Sequence, residues 1–195
     1  MPINLIMMRL IFLFLLISLV GCATRPPQVR ANACSLLREK GEWIRPLDVA
    51  AKKWKIPTYT ILSIIYHESK FIHNAKPPLK KSFVDGLLGR RISSAYGYSQ
   101  ALDATWLEYV EKTKNWAALR SSFEDSVDFI GWYLNRSVKR LGISRYDAYK
   151  LYLAYHEGNT GFKRGSYKNK PAIKNYARKV QTTALSYKKQ MMGCS

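Results

Sequence analysis

Glu68 is the acidic residue whose surroundings look least like those of a surface carboxylate. It follows Ile65 and Ile64 by three and four residues and Ile61 by seven, so on a helix it continues their apolar face. A carboxyl placed there loses water, which disfavours its charged form and raises its pKa. A protonated acid near neutral pH is what glycosidic cleavage needs, because the leaving oxygen must receive a proton. Most glutamates near a helix end are simply solvated, so the neighbours have to decide. The adjacent His67 invites a metalloprotease reading. That motif requires a second histidine four residues after the first, where Phe71 stands. His73 has the wrong offset to share a helical face with His67. Neither a metal nor a cofactor is expected.

Three segments supply the context. Ile64-Ile65-Tyr66-His67-Glu68-Ser69-Lys70-Phe71 resembles the Glu-Ser motif of the soluble-type lytic transglycosylases and the related goose-type lysozymes. Ala95-Tyr96-Gly97-Tyr98-Ser99-Gln100 is similar to that family's Gly-Leu-Met-Gln segment, and Leu153-Ala154-Tyr155-His156-Glu157-Gly158 to its Ala-Tyr-Asn-Ala-Gly segment. Each is weak alone; together, in the family's order, they are specific. With Pro77-Pro78 and the terminal cysteine, they resemble a lipoprotein branch of that family.

The resemblance implies a single all-α, lysozyme-like domain. It also implies cleavage of peptidoglycan glycan strands between N-acetylmuramic acid and N-acetylglucosamine, leaving 1,6-anhydromuramic ends. Glu68 would be the general acid and then the base. Ser69 and Gln100 would hydrogen-bond the sugar or orient Glu68, and Tyr155 would hydrogen-bond Glu68 through its hydroxyl. Gly97 would let the backbone approach the glycan. Tyr98 and Ser99 stand where the family has leucine and methionine, and Tyr96 and Tyr98 are expected at the cleft. His156 and Glu157 replace asparagine and alanine. If Glu157 faces the cleft, it offers a second carboxylate that could position water and make the enzyme a hydrolytic muramidase. The plainer reading is an exposed glutamate beside a glycine turn. A rival of another class is a non-catalytic glycan-binding lipoprotein, which would have no need of a desolvated acid.

The elements that must hold these residues read as helices. Arg45-Pro46-Leu47-Asp48 is a helix start, with proline early and an acid in the first turn. Pro57 breaks that helix, and Thr58 can cap the next, which carries Ile61, Leu62, Ile64 and Ile65. Ser121-Ser122-Phe123-Glu124 forms a capping-box pattern, and Phe123, Val127, Ile130, Leu134, Val138 and Leu141 follow at helical spacing until Gly142. Ser144-x-x-Asp147 opens a further helix that stops near Gly158, leaving a glycine-rich turn to Gly165. Asn169-Lys170-Pro171 opens the last, with Ile173, Tyr176, Val180, Ala184 and Tyr187. Trp106, Tyr109, Trp116, Trp132, Tyr133 and Tyr152 are read mainly as core. Residues 74–94 form a long basic connection able to hold a small hairpin or a flap over a site.

The chain ends place this domain. Arg9 and the apolar run Leu10–Val20 have signal-peptide length. Leu19-Val20-Gly21-Cys22 resembles the bacterial lipobox, with Cys22 lipidated. The expected organisation is a leader over 1–21, a lipidated tether over 22–33 reaching at most ~40 Å, and the catalytic domain over 34–195. Ala23 after the cysteine favours, by resemblance, the outer membrane of a diderm bacterium, with the domain facing the periplasm. Cys34 and Cys194 remain. An exported compartment permits their one intramolecular pairing, and two free thiols are the alternative. The net charge of +19 calls for an anionic partner. Export and the lack of any nucleic-acid-binding motif argue against DNA or RNA, leaving cell-wall glycan and the membrane.

Overall fold

The computed structural model describes residues 25–80, 90–91 and 93–194. The expected leader, Cys22 and the tip of the 74–94 connection lie outside them. Seven α-helices are described: α1 (Ala33–Glu39), α2 (Ile44–Trp54), α3 (Thr58–Ser69), α4 (Asp103–Thr113), α5 (Phe123–Leu141), α6 (Ala148–Arg164) and α7 (Pro171–Met191). A 3-10 turn, Gly41–Trp43, joins α1 to α2. The expected hairpin is present as two short strands, β1 (Leu79–Lys80) and β2 (Arg90–Arg91), paired antiparallel with Leu79 opposite Arg91. The architecture is the all-α, lysozyme-like one that the resemblance implies.

The sequence explains how α3 becomes the central helix. Every residue from Thr60 to Ile65 is buried, and a helix apolar nearly all round must be enclosed by others. It packs against α7, α2 and α5, while α6 packs against both α5 and α7. The caps sit where polar side chains allow them. Ser122 Oγ accepts from Asp125 N at 3.3 Å, Asp147 Oδ1 accepts from Lys150 N at 2.9 Å, and Pro171 opens α7.

Several boundaries differ from the sequence pattern. Pro57, not Thr58, occupies the N-cap of α3, and its carbonyl accepts from Thr60 N and Ile61 N at 2.9 and 3.3 Å. The turn expected over 158–165 is helical. Gly158 adopts φ 75° and ψ 154°, which kinks α6, and the helix resumes to Arg164. α4 has helically spaced Trp106, Tyr109 and Val110, but Leu102 before it caps nothing, so the sequence carries no start signal.

The termini are fastened together. Cys34 and Cys194 form a disulfide that joins α1 to the residues just after α7. The expected free tether over 22–33 is shorter than its length suggests, because its second half is docked. Pro27 is buried, and Gln28 N donates to Glu39 at 3.0 Å. Tyr187 donates to the Arg30 carbonyl, and Gln190 Nε2 to the Ala31 carbonyl at 3.3 Å. These unplanned contacts arise because α7 is long enough to reach back beside α1.

Candidate active site

The end of α3 shapes the site. Lys70 and Phe71 both take left-handed backbone, φ 54° and 60°, which non-glycine residues rarely adopt. Phe71 is held there by its buried ring, 5.5 Å from Trp43 and 6.0 Å from Tyr66. The helix therefore stops at Ser69, and Glu68 in its last turn lines a cleft of about 550 Å³. Gln100 and Leu102 come to the same cleft from the segment before α4, Tyr133 from α5, and Tyr155, His156 and Glu157 from α6.

Electrostatics set two carboxyls apart. Glu68 keeps a little exposed surface, but its carboxyl is enclosed by protein. Burial raises its pKa to about 7, opposed by a hydrogen bond from Tyr152 and by the Lys70 charge. The negative end of α3 acts in the same direction as burial. Lys70 is itself pushed down, by burial first and then by Arg30, and its Nζ lies 4.1 Å from the Tyr66 ring centre. Glu157 is the reverse case. Lys170 Nζ at 2.8 Å, Ser166 Oγ and His156 Nδ1 at 3.1 Å all bind its carboxylate. Those hydrogen bonds, Lys170 first, hold its pKa at about 2. His67 is held neutral, its pKa lowered to about 4 by burial and then by Lys70 and Lys179, and its Nε2 lies 2.9 Å from Thr183 Oγ1.

The residues expected around Glu68 divide into two groups. Gln100, Tyr155 and Glu157 line its cleft; Ser69, Gly97 and Tyr98 do not. Ser69 is buried and donates to the Ile65 carbonyl at 3.1 Å, so its hydroxyl closes the helix instead of reaching a sugar. Gly97 has φ 74°, and a Cβ there would lie 1.9 Å from the Arg120 carbonyl oxygen. Its missing side chain makes room for the protein's own backbone, not for a glycan. Tyr98 is buried edge-on to Trp43 and Phe123, at 5.9 and 5.4 Å, and so is core. Tyr96, its expected companion at the cleft, lies between Lys76 and Arg120 instead.

Gln100 donates to the Ala75 and Gly97 carbonyls at 3.0 and 2.9 Å, which leaves its oxygen free of hydrogen bonds among the described residues. Tyr155 donates to the Ser99 carbonyl at 2.6 Å, not to Glu68 as expected. The tyrosine that lowers the Glu68 pKa is Tyr152, one helical turn earlier on α6. Sequence reasoning passed over Tyr152 as a core aromatic, although its i−3 spacing from Tyr155 puts both on one face. Tyr176 completes this shell, 5.6 Å from Tyr152 and donating to the His67 carbonyl at 2.7 Å. Of the aromatics read as core, Trp116 is the exception, 72% exposed.

The site thus comes down to a desolvated acid lining an open cleft in a helical, lysozyme-like domain. The family model described as Transglycosylase SLT domain matches residues 10–194, and the chain belongs to that family. Membership implies an enzyme that cleaves the glycan of peptidoglycan. No curated protein matches the chain significantly.

Proposed function

We propose that this chain is a peptidoglycan lytic transglycosylase that uses Glu68 as its only proton-transferring group. The carrying observation is the Glu68 carboxyl lining the cleft from the last turn of α3, where burial raises its pKa to about 7. Protonated Glu68 gives its proton to the oxygen bridging N-acetylmuramic acid and N-acetylglucosamine, and the bond from the muramic anomeric carbon to that oxygen breaks. The substrate's acetamido group stabilises the positive charge left on that carbon. Glu68, now a carboxylate, takes the proton of the muramic C6 hydroxyl. The freed oxygen bonds the anomeric carbon, closing a 1,6-anhydro ring and returning Glu68 to its starting state. Gln100, through its unpaired oxygen, and Tyr155, in the cleft wall, contact the sugar. Ser69, Gly97 and Tyr98 support the cleft from behind.

The hydrolytic reading needs Glu157 to activate water. Glu157 lines the cleft, but Lys170, Ser166 and His156 occupy its oxygens, and a carboxylate with a pKa of about 2 is a weak base. A non-catalytic glycan binder would gain nothing from holding Glu68 desolvated. The protein is further proposed to be exported and lipidated at Cys22, and to face the periplasm from the outer membrane. The apolar run Leu10–Val20 that ends at Leu19-Val20-Gly21-Cys22 supports this reading. With residues 27–31 docked, the leash from Cys22 is about five residues, or at most ~18 Å.

Mass spectrometry of glycan strands digested by the domain tests the reaction. Products lighter by one water are expected. Reducing muramic ends would make it a hydrolase, and no cleavage would favour the binding reading.

A further inference from the structure

We infer that the outer face of α7 is a membrane-contact surface that lays the domain on anionic phospholipid. Arg178, Thr182, Leu185, Lys189 and Met192 follow one another by four, three, four and three residues, and all are exposed. The inner stripe, Ile173, Ala177, Val180, Ala184 and Tyr187, has the same spacing and is buried as α7 packs on α3 and α6. Single exposed apolar residues are ordinary on a protein surface. Here, however, Leu185 and Met192 expose 56% and 75% of their surface on one stripe, and alternate with cations. α7 holds Lys174, Arg178, Lys179, Lys188 and Lys189 and no acid. The 38 residues after Glu157 carry nine cations and no Asp or Glu.

Basic charge alone fits any polyanion, wall polymer included. Leu185 and Met192 decide for lipid, since a hydrated wall polymer offers them nothing and a bilayer interface buries them. Among the described residues no helix is long and apolar enough to cross a membrane, so the contact is interfacial. The route of the chain agrees. Arg30 and Ala31 are bound by Tyr187 and Gln190, so Cys22, eight residues before Arg30, lies within ~28 Å of this helix. That last point rests on the proposed lipid anchor; the basic-apolar face does not.

The test uses the chain from residue 23 without lipid. The hydrogen bonds, the disulfide and the buried core described above all lie within residues 27–194, so this chain keeps the whole fold. Sedimentation with vesicles of phosphatidylglycerol and phosphatidylethanolamine, against phosphatidylcholine alone, reads the binding. Binding only to the anionic vesicles is expected. Each cation near such a surface contributes about fivefold, so Arg178→Glu with Lys188→Glu and Lys189→Glu, which remove three cations and add three anions, should weaken binding by more than about a hundredfold. Leu185→Ser with Met192→Ser should weaken it about tenfold and keeps the test independent of charge. The same triple reversal at Lys139, Arg140 and Lys163, on α5 and α6, should cost far less. Equal losses from both triple variants would mean total charge alone, and would overturn the face. So would wild type that ignores anionic vesicles, or α7 variants that lose isolated cell-wall sacculi but not vesicles. A lipidated protein that stays on vesicles while the unlipidated one does not would sustain the anchor and refute the face.

Discussion

Replacing Glu68 with glutamine should stabilise the domain above neutral pH and leave it unchanged in acid. The folded carboxyl titrates at about 7, raised by burial from the ordinary 4.5. The folded state therefore holds this proton more tightly than the unfolded chain does. Above pH 7 folding must keep an ionised carboxylate away from water, and that penalty is complete. It shrinks as pH falls from the folded value towards the unfolded one, and vanishes below it. The separation amounts to about 3 kcal/mol. Glutamine, a neutral isostere able to keep the Tyr152 hydrogen bond, escapes it. For a domain of this size each kcal/mol moves Tm by about 2–4 °C. At about pH 8.5 the variant should thus melt some 6–12 °C higher, with the difference closing near pH 4. Glu157, with its pKa of about 2, titrates below this window and does not disturb it. Calorimetric melts of both proteins across that range decide the matter. Parallel Tm profiles, or a variant weaker throughout, would show that Glu68 is not desolvated, and the acid role would lose its physical basis.

Tyr152→Phe removes the hydrogen bond that lowers the Glu68 pKa, so the descending alkaline limb of kcat/KM should move to higher pH while the rate falls. Tyr155→Phe should leave the limb where it is and raise KM, because that hydroxyl holds the Ser99 backbone; pH–rate profiles of the pair separate the two roles. Gly97→Ala should destabilise by more than about 4 kcal/mol, since nothing but backbone at Arg120 can yield, and chemical denaturation would read it. Cys34→Ser should lower stability by up to about 4–5 kcal/mol in the chain-entropy model, read as a matching drop in denaturation midpoint under non-reducing conditions.

The parts legible in the sequence were those with a local physical signal. The Ile61–Ile65 run marked a buried helix, the Ser121–Glu124 and Ser144–Asp147 patterns marked helix starts that the structure caps at Ser122 and Asp147, and Glu68 stood out because it continued an apolar face. What could not be read depends on distant backbone. Gly97 looked like a ligand-approach glycine, yet the object it accommodates is the carbonyl of residue 120, which no nearby residue announces. Tyr98 and Tyr152 exchanged their expected places for the same reason. One lies against Trp43 and Phe123, and the other is brought near Glu68 only when α6 packs on α5 and α7. Likewise, nothing in residues 27–31 signals docking, which is set by the reach of α7.

The two carboxyls of the cleft are pushed in opposite directions, to about 7 and about 2, a separation that commonly divides acid from base. Here the division fails as a hydrolase. The ionised partner is the weaker base by about five pKa units, and its oxygens are already committed to Lys170, Ser166 and His156. In the proposed mechanism Glu68, after donating its proton, is the one of the two cleft carboxyls with a basicity suited to neutral pH. In that mechanism the second proton returns to the carboxyl that gave the first, and its source is a hydroxyl within reach of that carboxyl. The substrate's own C6 hydroxyl meets this condition. It follows that Glu157→Gln should leave the ratio of anhydro to reducing ends unchanged. That ratio should also be flat in wild type between about pH 5 and 9, where Glu157 stays ionised. Reducing ends that disappear in the variant would return Glu157 to the chemistry and end the single-carboxylate account.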